Sequence, residues 1–268
     1  MQVLESAEDY GGPEDGYAFA KTIVVYEEDG EIYRAFSRKQ YASTADIRYA
    51  DLYSSNKIRC ALYPQFDDSF TKAEGSAEYL STLYLKTPSL TTYTPRKPNL
   101  IRDAWLREVK TWELLRKYPH PNIAKYHGCF VSETGAIEAI YLTTYDQTLA
   151  QKVNPSHLAK GEFVYEKLEA EKSAVDEWFR GIESGLRHLH TLGIVHNDIN
   201  PNNVMFEGET PVIIDFDSAR PLGYSLDWVK MTYGWYNHET KLSLPTNDLD
   251  ALHEMKLWLA GAADQFQF

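Results

Sequence analysis

Alternation of apolar and polar positions is strongest near the start of the chain. KTIVVY, from Lys21, and EIYRAF, from Glu31, are rich in β-branched and aromatic residues, and Asp29-Gly30 between them can supply a tight turn. The pattern predicts a hairpin over residues 21–41. Ahead of it, residues 1–16 hold five acidic residues, three glycines and a proline, and are expected to form a flexible, solvated lead-in. Residues 42–58 are polar and expected to be irregular or weakly helical. IRCALY is a further candidate strand, and YPQFDDSFTKAEGSAE reads as a loop. YLSTLYLK is expected to be a strand ending at Lys86, followed by a proline-rich connector.

The period then changes. Ile101, Trp105, Val109, Trp112 and Leu115 recur at helical spacing and predict a helix over 101–117. HPNIAKYHGCFVSETGAIEAIYLTTY predicts two strands turning at Glu133-Thr134-Gly135. Lys172 to Leu192 is a long amphipathic pattern stopped by Gly193. IVHNDI, VMFEG and PVIIDFD are short apolar segments between loop signals, and a last helix is expected from Asn247. Strands with one helix dominate to about residue 145, and helix dominates after it. That is an α+β plan: a flexible lead-in (1–16), a strand-rich lobe (17–145) and a helical lobe (146–268), with a cleft between the lobes.

Composition narrows the function classes. Hydrophobic residues make up 43% of the 268 positions and charged residues 25%, as in a soluble globular protein. The net charge of −12 repels phosphate backbones and anionic lipid, so neither nucleic acid nor membrane is an expected partner. Cys60 and Cys129 match no zinc spacing and read as thiols of a reducing compartment. The N-terminal stretch has no basic start and no apolar run, and no segment is long enough to span a bilayer. A soluble, cytoplasmic protein is the expectation.

The chemistry concentrates in GIVHNDINPNNVMFEGETPVIIDFDSA, from Gly193. Phosphoryl transfer needs a group that orients the attacking hydroxyl and accepts its proton, and hard oxygen ligands for metal ions that neutralise the phosphates. Asp198 can do the first. Asn203, five residues on, and Asp215, seventeen residues on, can supply the oxygens. The five-residue step puts Asp198 and Asn203 at the two ends of one loop, and the VMF…VII hairpin returns Asp215 beside them.

These residues resemble a known pattern. His196-Asn197-Asp198 with Asn203 resembles the catalytic loop H-R-D-x-x-x-x-N of the protein-kinase-like superfamily, and Asp215-Phe216-Asp217 resembles its D-F-G. The HNDINPNN and DFD wording is most similar to fungal protein-kinase-domain proteins. The resemblance covers roughly residues 80–260. It implies a bilobal fold with a shortened helical lobe, with ATP and Mg²⁺ or Mn²⁺ as cofactors. It implies a γ-phosphate transfer to a hydroxyl of a protein or a small molecule. Tyr84-Leu85-Lys86 resembles the third-strand lysine motif, so Lys86 is implied at the α- and β-phosphates. LREVKTWELLRKYPHPNI resembles the helix that partners this lysine, with Glu108 as the partner and Glu113 as the second choice. Thr144 and Tyr145 are implied against the adenine. Asn203 and Asp215, and with them Asp217, are the implied metal ligands. Asp248 resembles the aspartate that braces the catalytic loop, and TYGWYNHE the end of an activation segment, with Glu239 in the usual glutamate position.

The pattern also departs from the family. No G-x-G-x-x-G precedes Lys86, and Gly75 stands nearby instead. Asn200 takes the place of the catalytic-loop lysine, and Asp217 that of the D-F-G glycine, which tolerates backbone conformations an aspartate resists. Two other readings therefore stand beside a phosphotransferase: a pseudokinase acting as a binding or scaffold module, and another nucleotide-dependent transfer on the same fold.

Overall fold

A computed structural model describes residues 1–10, 18–58, 62–167 and 169–268. Cys60 and most of the IRCALY run lie outside these residues. The chain divides into two compact units. One comprises Met1–Phe66, Thr87–Leu106 and Val131–Ala139, and the other Asp67–Lys86, Arg107–Phe130 and Ile140–Phe268. The division cuts across the expected boundary at residue 145.

The first unit is built on a four-stranded antiparallel meander: β1 (Gln2–Tyr10), β2 (Phe19–Glu28), β3 (Glu31–Ser37) and β4 (Leu52–Lys57). The β2–β3 hairpin turns at Asp29 and Gly30, both at positive φ, as a two-residue turn between twisted strands requires. The flexible lead-in is corrected over residues 2–10, which pair with β2 from Gln2↔Glu27 to Tyr10↔Phe19. Its acidic residues are employed rather than merely solvated. Glu5 accepts from Leu90 N at 2.5 Å and from Ser89 Oγ at 2.7 Å, and Asp9 pairs with Lys21 at 3.2 Å. The polar stretch 42–58 holds two 3₁₀ turns and then β4, so its second half is strand. Val25, Ile58, Leu62, Leu90, Tyr93 and Ile101 form one apolar cluster, and Val24, Tyr26, Ala35 and Ile47 another. Adjacent β2 residues feed different clusters because successive side chains point to opposite faces.

In the second unit the expected strand 79–86 is corrected in its first half. Ser76 caps a short helix α1 (Ala77–Ser81), its Oγ accepting from Tyr79 N, and only β5 (Tyr84–Lys86) is extended. Helix α2 (Leu100–Lys117) starts in the first unit and ends in the second, and all five residues of its apolar stripe are buried. Burying each of the large ones contributes about 1.5–3 kcal/mol. Strands β6 (Tyr126–Val131) and β7 (Ile137–Leu142) join β5 in the order β5-β7-β6. Helix α3 (Leu149–Val153) carries a capping box between Thr148 and Gln151.

Helix α4 (Lys172–Thr191) buries Val175, Trp178, Phe179, Ile182, Leu186 and Leu189, and Gly193 follows it at φ 75°. β8 (Ile194–Val195) pairs with β11 (Arg220–Pro221), and β9 (Val204–Glu207) with β10 (Thr210–Ile213). Gly185 lets α4 lie close to this hairpin, since a Cβ there would stand 2.9 Å from Ile213 Cδ1 and 3.0 Å from Asn122 O. Helix α5 (Pro245–Leu259) starts on a proline in its first turn, and its Asp248 and Glu254 are fully buried. Among the described residues, no helix is long and apolar enough to cross a membrane.

Candidate active site

Three stretches of the second unit converge. The first is β5 with the middle of α2. Lys86 Nζ donates to Glu108 Oε1 at 2.5 Å and to Asp215 Oδ1 at 2.7 Å. Glu108 is 3% exposed and also accepts from Trp112 Nε1 at 3.1 Å. Burial works against the Lys86 ammonium, but the carboxylates of Glu108, Asp215 and Asp217 outweigh it and hold its pKa above the lysine value. Burial also pushes the Glu108 carboxyl up, against the pull of Lys86. Asp215 goes the other way: burial raises it, but the Lys86 ammonium prevails and holds it below the usual carboxylate range.

Glu113, the second choice, faces elsewhere. It accepts from Thr71 N at 2.6 Å, Thr71 Oγ1 at 2.9 Å and Tyr126 OH at 2.8 Å. Five positions on a helix turn the side chain by about 140°, so Glu108 and Glu113 serve different neighbours. Phe216 packs edge-on against Trp112 at 4.7 Å, which ties α2 to the D-F-D stretch.

The second stretch is the loop from His196 to Asn203. Asp248 holds its start, accepting from His196 N at 3.0 Å, Asn197 N at 2.8 Å and His190 Nε2 at 2.7 Å. His196 is fully buried; Nε2 meets Ile214 O at 2.9 Å and Nδ1 accepts from Asp198 N at 3.3 Å, an arrangement that requires the Nε2–H tautomer. Asn197 has φ 64° and Asp215 φ 62°, both left-handed, and asparagine and aspartate are the side chains that bear this best. Asn197 Nδ2 donates to Val195 O and Ser243 Oγ, each at 3.0 Å.

Asp198 is nearly buried. Oδ1 accepts from Thr232 N at 2.7 Å, and Oδ2 accepts from Thr232 Oγ1 and Asn203 Nδ2, each at 3.1 Å. Burial pushes its carboxyl up, and the Thr232 bonds only partly offset this. Asn200, in the usual lysine position, is a buried amide that donates to Asp198 O and to Thr232 Oγ1, each at 3.1 Å.

Thr232 is the residue that sequence reasoning missed. It opens TYGWYNHE, the segment singled out for Glu239, yet Glu239 is exposed, and among the described residues its one hydrogen bond is local, from its own N–H to Asn237 Oδ1 at 2.9 Å. Asp217 is absent from the positive-φ residues, so this conformation makes no demand there that glycine alone could meet. Its Oδ1 accepts from Ser218 Oγ at 2.9 Å.

The third stretch is residues 142–145. A cavity of 280 Å³ is lined by Tyr84 and Lys86, by Leu142 to Tyr145, and by Met205 and Ile214 with Asp215. Thr144 and Tyr145 thus border the same cavity as Lys86 and Asp215. Their hydroxyls are engaged, Thr144 Oγ1 donating to Thr82 O at 2.9 Å and Tyr145 OH accepting from Lys125 N at 3.0 Å.

The donor chemistry fits a divalent cation bound together with phosphates. Asn203 spends its amide N–H groups on Asp198, leaving Oδ1 without a hydrogen bond among the described residues, and Asp215 Oδ2 is likewise uncommitted. No group of three His, Cys, Asp or Glu that could hold a metal alone occurs among the described residues. Mg²⁺ is commonly held by one or two protein oxygens plus substrate phosphates, which is the set available here.

Comparison with known proteins shows the family. The family described as protein kinase domain matches residues 89–240, more than half of the chain. Protein kinase MCK1 of Saccharomyces cerevisiae is 35% identical over 124 residues, 44% of this chain and 32% of that protein. Serine/threonine-protein kinase Tao of Drosophila melanogaster is 26% identical over 161 residues, 60% of this chain and 14% of that one. Serine/threonine-protein kinase PSK1 of Saccharomyces cerevisiae is 29% identical over 141 residues, 46% of this chain and 9% of that one. The chain spans a third or less of the length of these curated relatives. With an α+β fold, a lysine–glutamate pair on β5 and α2, and a braced H-N-D loop ahead of D-F-D, this chain belongs to the protein kinase domain family.

Proposed function

We propose that the chain is an ATP- and divalent-metal-dependent phosphotransferase that moves the γ-phosphate to a hydroxyl of a protein or a small molecule. The observation that carries this is the sharing of the Lys86 ammonium between Glu108 and Asp215 in the compact unit that also holds Asp198 and Asn203. Lys86 is set to pair with phosphate oxygens, and Glu108 fixes where its ammonium stands. Asp215 Oδ2 and Asn203 Oδ1 would hold Mg²⁺, which when bound neutralises charge on the phosphates. Asp198 orients the acceptor hydroxyl and takes its proton, and its raised pKa makes it a better base than an ordinary aspartate. Thr232 and Asn203 keep its carboxylate in one rotamer.

Calorimetric titration with ATP tests the reading. Binding is expected only with Mg²⁺ or Mn²⁺, and Asp215→Ala should abolish the metal dependence. No ATP binding with either metal up to millimolar concentration would reject the phosphotransferase. A pseudokinase is the second reading, favoured by one feature: α1 and its Ser76 cap stand ahead of β5, where a glycine-rich loop would offer backbone N–H groups to the phosphates. Metal-dependent ATP binding with no loss of the γ-phosphate over hours would favour it.

A further inference from the structure

Among the described residues, one buried side-chain polar atom has no hydrogen-bond partner: Nε of Arg34, on β3. The guanidinium makes no hydrogen bond or ion pair to any described residue, and it lies 4.6 Å from the Phe36 ring. Burial holds its pKa below the ordinary arginine value and Asp9 offsets this only in part, yet an arginine stays charged. A buried charge without a partner costs free energy. By contrast, Lys86 is paired with Glu108 and Asp215, and Lys160 with Glu254.

The strands around Arg34 gather more charge of the same sign. β3 and β4 change register between Arg34 and Phe36, where Ser54 and Ser55 stand against Ala35 and Ser54 has φ 51°. Such a bulge re-aims the side chains beside it. Alternate residues share a strand face, so Arg34, Phe36 and Arg38 lie on one side, with Tyr53 opposite Phe36. Arg38 stands 5.4 Å from the Tyr53 ring, and Lys21 4.9 Å from the Phe36 ring. Lys21 pairs with Asp9 at 3.2 Å, and Glu5, also on β1, is spent on Ser89 and Leu90. Lys21, Arg34 and Arg38 thus meet one carboxylate, Asp9, over two aromatic rings, in a protein whose net charge is −12.

We propose that this face of the meander is a phosphate-monoester site, in which the Arg34 guanidinium forks onto the phosphate oxygens and Lys21 and Arg38 supply further charge. The excess of positive charge suits a dianion better than a single carboxylate. A planar guanidinium stacked on Phe36 is pre-organised for two parallel N–H···O bonds. The site belongs to the first compact unit, whereas Lys86 belongs to the second, and it stands independently of the phosphotransferase reading.

Thermal melting and hydrogen exchange at constant ionic strength, with inorganic phosphate, phenyl phosphate, glycerol phosphate or acetate, are the test. Millimolar phosphate should raise the melting temperature of wild type and slow exchange in β3 and β4, and acetate should do neither. Arg34→Met should lose the slowing in β3 and β4. It removes an unpaired buried donor and keeps an apolar stem, so its melting temperature without phosphate should not fall. Arg34→Lys keeps the charge but not the fork, and should weaken phosphate about tenfold, the scale of one charged hydrogen bond. Tighter binding of phenyl phosphate than of glycerol phosphate would assign an aryl ester, and the reverse an alkyl one. An equal response to phosphate in wild type and Arg34→Met would overturn the proposal, since excluded salts stabilise any compact fold. Acetate acting as strongly as phosphate would overturn it as well. So would a loss of stability in Arg34→Met with no phosphate response in wild type, which would make Arg34 a packing residue.

Discussion

In the proposed transfer, Asp198 is the residue on which the chemistry turns, and a single partner, Thr232, engages both of its carboxylate oxygens. Asp198→Asn keeps the shape but removes the charge and the basicity, so γ-phosphate transfer should fall roughly a hundredfold or more. ATP affinity should hold, because Asn203 and Asp215 remain; equal turnover in the variant would remove Asp198 from the mechanism. ATP hydrolysis, with water as acceptor, provides the assay. The pH dependence follows from burial. Asp198 must be ionised to act, and its pKa is raised, so activity should fall as pH drops through a value above the ordinary aspartate range. Thr232 donates to the ionised form and lowers that value. Thr232→Val removes the hydroxyl donor and should move the acid limb to higher pH, whereas Thr232→Ser should not. Asp198, Asn203 and Asp215 were legible in the sequence because they sit within eighteen positions of one another at fixed spacings. Thr232 was not, since thirty-four positions separate it from Asp198 and only the folded chain brings its N–H and hydroxyl together on one carboxylate.

Among the elements, α2 was the easiest to read. A stripe at 101, 105, 109, 112 and 115 has no other use than burial, and all five positions are buried. β1 was misread for the converse reason. Its charges suggested solvation, but an edge strand needs only alternate positions half-covered, and Glu5 and Asp9 find partners once β2 is in place. The stretch before β5 was read as loop and strand, because nothing local in it announces its attachment to β6. There Lys72 bridges Cys129, Ala73 N donates to Cys129 O at 3.0 Å, Cys129 N donates to Thr71 O at 2.7 Å, and Glu113 fixes Thr71 from α2. Gly128 permits this approach. It has φ 124°, and a Cβ would stand 2.6 Å from Ala73 N and 2.8 Å from Ala73 Cα, both rigid backbone. Gly128→Ala should therefore cost about 2–3 kcal/mol or more, through strain at a special backbone conformation. Hydrogen exchange should quicken at Ala73 and Cys129 before it does in α4. A variant as stable as wild type, with protection unchanged, would mean that β6 can move away at little cost.

For the whole molecule, the informative feature is that residues from both sides of the expected boundary at 145 fall in one compact unit. Lys86 and Glu108 share it with Asp198 and Asp215, so the site is assembled within that unit's own packing. What anchors the segment carrying Thr232 was invisible in sequence. The resemblance singles out only Glu239 in that segment, and Glu239 is exposed. Lys160, from an irregular stretch, donates instead to Gly234 O at 2.5 Å, to Phe268 O at 3.2 Å and to the buried Glu254 of α5. Its ammonium also lies 4.7 Å from the Trp235 ring and 4.5 Å from that of Phe266. Trp235 N donates to Thr232 O at 3.1 Å, so the turn that Lys160 grips begins at the residue that grips Asp198. Removing one partner of a buried pair leaves the other uncompensated, and Lys160→Met should destabilise the protein by about 3–5 kcal/mol. Replacing both, Lys160→Met with Glu254→Leu, should restore part of that loss, because no buried charge is then left alone. Chemical denaturation of the two variants and wild type measures the difference. A double variant less stable than Lys160→Met would mean that Glu254 matters chiefly as the acceptor of Gln267 N, which it binds at 2.9 Å, and not as the counter-charge of Lys160.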